Sequence, residues 1–280
     1  MTVYYVDGKF VPDDQAMIPV DDLAVLRGFG ICDIMRTFHG KPYFIDEHIQ
    51  RLMDSGERIG LFLPWKTDEI KAIVLETLQK NKPTAEANIR IVITGGSSPD
   101  FLTPSGNPRL IVMVTPIKKL PQDWYTKGVK VITLMQERPL AGAKVTSYIP
   151  AAMALQQAQK SGAVEALYIN SQKQVLEGTT SNLFAFFGNT LVTPPAQGIL
   201  KGITRKLILS LGAQFFQITE EPLFLNRLTA ADEVFITGTN KGVVPVIQID
   251  DAIISNGRPG KNTAKLIQAL DQHTRHFSSR

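Results

Sequence analysis

The chain has 280 residues, 44% of them hydrophobic, and 30 basic against 26 acidic side chains leave a formal net charge of +4. That length can bury the cores of two medium domains, and a single cysteine, Cys32, excludes an internal disulfide and a cysteine-rich zinc site. The weak, dispersed positive charge gives no reason to expect a nucleic-acid partner, and with no apolar run near the ~20 residues of a membrane span and no signal-like start the protein is expected in the cytoplasm, away from membranes.

Residues 2–6 alternate as a strand, Asp7-Gly8 is a hairpin turn signal, and residues 9–11 resume the strand. Between Val20 and Cys32 an arginine, Arg27, and two glycines, Gly28 and Gly30, interrupt a mostly apolar stretch. A guanidinium buried there needs an anionic or carbonyl partner, either a ligand or the nearby Asp21 or Asp22. Over 44–59 the spacing of Ile45, Ile49, Leu52, Met53 and Gly56 predicts an amphipathic helix. Arg51 lies off that stripe with His48, Ser55 and Arg58, which taken alone reads as a solvated face.

A second helix is predicted over 67–79, ending before Pro83, and strands over 87–94 and 110–114 are joined through the turn-rich residues 95–100. Alternation puts Ile89, Ile91 and Ile93 on one face of the first strand and Arg90, Val92 and Thr94 on the other, a half-polar face that can border a site. Lysines, Pro121 and Gly128 mark 119–128 as the best linker. After a strand over 129–134, Lys144 sits just ahead of a helix over 150–162. An ammonium in such an apolar neighbourhood can be desolvated and become nucleophilic, although a lone lysine is ordinarily a surface charge. Strands follow over 164–169, 174–176, 183–187, 190–192, 233–238 and 243–249, with helices after Gly202, near 225–230 and over 263–276. The four histidines show no metal-ligand spacing beyond the pair His273 and His276 near the end of the chain.

Two stretches carry chemistry. Glu177 ends an apolar run, is followed by the small polar turn Gly178, Thr179, Thr180 and Ser181, and leads into the apolar run 183–187. A carboxylate placed there faces a pocket or wastes a charge. Further on, Gly202-Ile203-Thr204 opens a helix whose Leu207, Ile208 and Leu211 are apolar, and the free backbone N–H groups at such a start favour a phosphate.

Read with Lys144 in AGAKVTSY, the runs EGTTSNLF and GILKGITR resemble the class IV (fold type IV) pyridoxal-phosphate aminotransferases, which include branched-chain and D-amino-acid aminotransferases and aminodeoxychorismate lyase. The resemblance covers nearly the whole chain. It implies a mixed α/β (α+β) fold in two domains: an N-terminal α/β sandwich over 1–118, a linker over 119–128, and a C-terminal pseudo-barrel with helices over 129–280 that binds the cofactor. It implies pyridoxal 5'-phosphate, held as a Schiff base by Lys144, with Glu177 on its ring nitrogen and Leu200 against its ring. Arg51, Gly202, Ile203, Thr204, Gly238 and Thr239 match the phosphate site, Thr180 and Ser181 fall in the same cofactor set, and Tyr148 matches a donor to the phenolic oxygen. The activity implied is ping-pong transamination between an amino acid and a 2-oxo acid such as 2-oxoglutarate, with Lys144 as general base, in a homodimer.

Substrate choice is less legible. The D-amino-acid enzymes carry an Arg-x-His carboxylate trap where this chain has Asp100-Phe101-Leu102. The branched-chain enzymes carry Phe-Glu-Gly-Ile-Arg where it has Cys32-Asp33-Ile34-Met35-Arg36, and Tyr-x-Arg-Pro where it has Asn88-Ile89-Arg90-Ile91. Arg27 and Arg90 are the expected alternative carboxylate site. The competing readings are aminodeoxychorismate lyase chemistry, which eliminates pyruvate on the same cofactor, and a non-catalytic protein that binds an anion at the helix start.

Overall fold

The structure is a computed structural model and describes residues 2–277. The chain forms two compact units, one of residues up to 118 together with 142–148, the other of 119–141 together with the chain from 149 on.

In the first unit β1 (Val3–Val6), β2 (Lys9–Pro12), α1 (Leu23–Arg27), β3 (Gly30–Phe38), β4 (Lys41–Pro42), α2 (Ile45–Arg58), α3 (Thr67–Asn81), β5 (Ala87–Thr94) and β6 (Arg109–Pro116) build a six-stranded sheet in the order β2-β1-β6-β5-β3-β4. Every pairing in it is antiparallel, and β3, β5 and β6 run in long register, Ile31 opposite Ile93 and Ile91 opposite Val112. Period-two alternation turns Ile89, Ile91 and Ile93 inward, where they pack with Ile49 and Leu52 of α2 and Ile70 and Val74 of α3. Arg90 is on the opposite face and exposed, so its charge costs the core nothing.

In the second unit come α4 (Asp123–Thr126), β7 (Val129–Met135), α5 (Ile149–Lys160), β8 (Glu165–Ile169), β9 (Gln174–Gly178), β10 (Asn182–Phe187), β11 (Thr190–Thr193), α6 (Ile203–Gly212), β12 (Gln217–Glu220), β13 (Leu223–Phe224), α7 (Leu225–Thr229), β14 (Glu233–Gly238), β15 (Gly242–Ile249), β16 (Ala252–Ile253) and α8 (Lys261–Phe277). Their strands run β12-β11-β10-β14-β15-β7-β8-β9-β13, with β16 added to β15. Val192 of β11 and Leu223 of β13 stand near opposite ends of that order, yet both belong to one apolar cluster with Val131, Leu183, Ile236 and Val244. The sheet therefore curls around its core as a half-barrel. Outward-facing Phe184, Phe186 and Phe235 pack under Ile208 of α6 and Leu266 of α8, and α5 lays Ala154 and Ala158 on Ala166 and Tyr168.

Two stretches group differently from the expected domains. The expected linker holds α4, whose Trp124 and Tyr125 pack on the half-barrel core while the Tyr125 hydroxyl donates to the Lys241 carbonyl at 2.9 Å. Its apolar anchors are masked in the sequence by the surrounding lysines and proline. The loop 142–148, with Lys144, was expected in the second domain but groups with the first unit. Among the described residues no helix is long and apolar enough to cross a membrane.

Candidate active site

Lys144 is fixed through its backbone. Val145 forms an antiparallel bridge with Ile31, the Cys32 N–H donates to the Lys144 carbonyl at 2.9 Å, and the Thr146 N–H donates to the Gly30 carbonyl at 2.9 Å. Gly30 is hemmed in from both sides, since a Cβ there would come within 2.7 Å of the Ile93 carbonyl oxygen of β5 and 3.2 Å of the Thr146 hydroxyl of the lysine loop. From α2, Ser55 Oγ accepts the Lys144 N–H at 3.0 Å and donates to the Arg51 carbonyl at 2.7 Å. The lysine loop is thus an extra strand-like edge on β3, pinned to α2. The residue is half-buried, and its ammonium donates to the hydroxyl of the exposed Tyr148 at 2.9 Å.

The side of α2 that reads as solvated is largely buried, with only Arg58 at its end exposed. His48 and Ser55 are closed off from solvent, and the Arg51 guanidinium reaches Asp33 of β3 through Nε and a terminal nitrogen, each at 2.8 Å. His48 Nδ1 meets the same carboxylate at 2.7 Å. The local stripe of Ile49 and Leu52 hides this because the partner lies on another element. Burial opposes the charge on Asp33, but the Arg51 guanidinium and His48 outweigh it and hold the carboxyl well below the usual range. His48 is pushed below the ordinary imidazole value by burial, against the pull of Asp33, and so stays neutral near pH 7.

Arg27 departs from the reading that buries it. It ends the short α1, is exposed, and donates to the Leu26 carbonyl at 3.0 Å. The nearby acids are engaged elsewhere, Asp22 with the Ala24 N–H and the Thr94 hydroxyl and Asp21 with the Ser97 hydroxyl.

In the second unit Glu177 lies near the end of β9 and is buried. Arg138 donates to its Oε1 at 2.8 Å, and the Leu200 N–H donates to its Oε2 at 3.1 Å. Asn182 holds the Leu200 carbonyl at 2.9 Å, so the carboxylate and residue 200 are joined through one amide. Two residues on, Gly202 opens α6. No side chain caps that helix and no acid sits in its first turn, which leaves the oriented N–H groups there to an outside anion. A Cβ on Gly202 would fall on the Asn182 amide oxygen, so a larger residue there would displace the amide that holds the Leu200 carbonyl.

Asn182 of β10 pairs with Thr237 of β14, which sets the turn 178–181 beside the turn 238–241. A Cβ on Gly238 would lie 3.2 Å from the Thr180 carbonyl oxygen, and Thr239 is half-buried next to it. The hydroxyls of Thr180 and Ser181, expected in the cofactor set, instead donate to Glu165 at 2.9 Å each. Sequence reasoning missed Arg138, Asp33, His48, Asn182 and Glu165. Glu165 alone left a local trace, as a charge opening the apolar strand EALYI.

These groups fit a phosphorylated pyridine aldehyde in their chemistry. One unit holds an amine against a phenol, and the other holds a fixed carboxylate one short segment away from an uncapped helix start. The profile of the class IV aminotransferases matches residues 30–249. The chain is 36% identical over 271 residues to a Methanocaldococcus jannaschii protein carrying the provisional name branched-chain-amino-acid aminotransferase, covering 94% of this chain and 93% of that one. It is 30% identical to the D-alanine aminotransferase of Staphylococcus epidermidis, over 99% of this chain and all of the relative. The crystal structure of the Escherichia coli branched-chain amino acid aminotransferase superposes with a TM-score of 0.90 at 26% identity, over 97% of this chain and 94% of that one. With the profile spanning most of its length, the chain belongs to the class IV aminotransferases, enzymes that depend on pyridoxal 5'-phosphate.

Proposed function

We propose that Lys144 carries the pyridoxal 5'-phosphate of this aminotransferase, that Glu177 serves its ring nitrogen, and that the start of α6 serves its phosphate. The observation that supports this most is the segment from Leu200 to Thr204. Its first N–H binds Glu177 and its last residues open the uncapped helix, so an acid and an anion cradle share one short stretch.

The bound cofactor supplies an electron sink for the bond broken at the amino acid's Cα. Arg138 is a permanent cation, and facing it Glu177 stands as the carboxylate that a protonated ring nitrogen requires. The N–H groups of Ile203 and Thr204, with Gly238 and Thr239 on the neighbouring turn, take the phosphate, and Arg51, aligned by Asp33, adds a forked cation to it. Leu200 gives the ring an apolar neighbour. Lys144 Nζ, oriented by the Tyr148 hydroxyl, takes the Cα proton and returns it. Thr180 and Ser181 act at one remove, through Glu165.

The named relatives support substrates with small or branched apolar side chains, and Arg90 and Arg27, both exposed, are the candidates for the substrate carboxylate. The same family reading makes the protein a cytoplasmic homodimer. In its support, α5 leaves Ile149 and Met153 72% and 65% exposed one helical turn apart, an apolar pair that a second copy would cover.

The test is turnover of the cofactor-loaded protein with 2-oxoglutarate and a panel of D- and L-amino acids, read as glutamate formed. Alanine or branched-chain donors are expected to react, and Lys144→Ala is expected to lose about 10²–10⁴-fold or more of the rate. Unchanged turnover in that variant would overturn the assignment, and repeated turnover of added aminodeoxychorismate to pyruvate without an amino acceptor would favour the lyase chemistry.

A further inference from the structure

Glu165 opens β8 and is fully buried, yet the resemblance gives it no role. Its two oxygens collect donors from two separate turns. From the turn 178–181 come the hydroxyls of Thr179, Thr180 and Ser181 and the Thr179 N–H at 3.2 Å. From the turn after β14 comes the Lys241 ammonium, 2.6 Å from Oε2, which also donates to Thr180 Oγ1 at 2.5 Å. Lys241 is itself only 15% exposed, so this is an ion pair withdrawn from water, and a buried charge deprived of its partner is strongly unfavourable.

These two turns are the ones that carry Gly238 and Thr239 on one side and the end of the Glu177 motif on the other. Each turn has backbone ties of its own, the Thr179 N–H to the Ala166 carbonyl of β8 in one and the Gly238–Gly242 pairing that closes the β14–β15 hairpin in the other, but none of these joins the two turns to each other. Thr180 is exposed at its position and Lys241 reaches across it to the carboxylate. A single buried acid therefore ties both turns at one point, and the Lys241 ammonium is consumed inside the protein instead of adding charge to the anion cradle.

We infer that Glu165 and Lys241 are a positioning pair that holds the turns 178–181 and 238–241 in the one arrangement able to receive the cofactor phosphate. The pair touches neither cofactor nor substrate; it acts through Thr239 and the backbone beside it. The inference rests on the reading of Thr239 and the α6 start as the phosphate cradle.

The experiment has two arms. In the first, amide hydrogen exchange of the cofactor-free protein is compared with that of Glu165→Gln and of the double variant Glu165→Gln, Lys241→Met, in which no unpaired charge is left buried. Exchange is expected to speed up at least tenfold in both turns of each variant, with β10 and β14 unchanged. In the second, pyridoxal 5'-phosphate is titrated into each cofactor-free protein and followed by its absorption. The double variant is expected to recover most of the thermal midpoint lost by Glu165→Gln while its cofactor Kd stays raised at least tenfold and the absorption maximum of the bound form stays in place. Wild-type exchange in the turn 238–241 of Glu165→Gln, or a wild-type Kd in the double variant, would overturn the inference. If the wild-type protein takes up no cofactor, the cradle reading falls, and the exchange arm still decides whether the pair ties the two turns.

Discussion

Glu165 and Glu177 are two buried glutamates of the same half-barrel, and each meets a cation at hydrogen-bond distance. Their surroundings differ in kind. Glu165 is ringed mainly by flexible side-chain donors, one ammonium and three hydroxyls drawn toward it from turns, with the Thr179 N–H beside them. Glu177 is met by a planar guanidinium and by the backbone of the segment that opens α6. The first arrangement uses a carboxylate to hold other groups in place. The second uses other groups to hold a carboxylate in place. The same residue type is thus glue in one position and reagent in the other, and the direction of support decides which property a substitution removes.

The sharpest way to break that comparison is to remove a cation from the glue. Lys241→Met leaves Glu165 buried without its partner, and breaking a buried pair costs about 3–5 kcal/mol, read as a fall in the free energy of urea unfolding. Glu177→Gln is expected to do the reverse. Urea unfolding should stay near wild type, while turnover drops about 10²–10³-fold, the size of losing one preorganised electrostatic partner. If both variants lose stability and activity in the same proportion, the distinction between the two glutamates fails. Arg138→Gln is the milder probe. Its guanidinium is 22% exposed and the Leu200 N–H still holds Glu177. Turnover should fall roughly tenfold, the weight of a charged hydrogen bond in a partly wet setting, and unchanged turnover would remove Arg138 from the support of Glu177.

What the sequence reveals follows the same line. Glu177, the glycine opening α6 and Lys144 sit in contiguous runs whose local grammar, a strand, then a turn, then a helix start, is readable residue by residue. The alternation in β5 and the apolar stripe of α2 were likewise local, and they place the core of the first unit. Glu165 shows only as a charge opening an apolar strand, and its role is hidden because it depends on Lys241, 76 residues on, just as Arg138 finds Glu177 across 39 residues. The Arg51 side of α2 misleads for the same reason. Charges at helical spacing look solvated until β3 brings Asp33 against them. The strand-like grouping of 142–148 with the first unit is also tertiary, since Val145 has no local cue that it will bridge Ile31.

The pH dependence of stability gives the smallest and most specific test of the glue. Burial works against ionising Glu165, but Lys241 and the threonine hydroxyls outweigh it, so its folded value lies below the ordinary 4.5. The unfolded chain then binds more protons between the two values, and stability rises with pH there. The contribution is present above about 4.5 and is lost as the pH falls, as it is for Asp33 below its ordinary 3.8. His48, lowered from 6.5 by burial, adds an earlier loss as the pH drops below that value. In Lys241→Met the sign for Glu165 inverts. Burial is then opposed only by the hydroxyls of the turn, the folded value is expected above the unfolded one, and the acid contributes in its neutral form at low pH, a contribution lost as the pH rises. Asp33 and His48 are the same in both proteins and cancel in the comparison. The gap in thermal midpoint between wild type and Lys241→Met should therefore be widest near pH 7 and shrink steadily toward pH 4. A gap that stays constant over that range would mean that Glu165 keeps its charge without Lys241, and that the hydroxyls of the turn alone are enough to hold it.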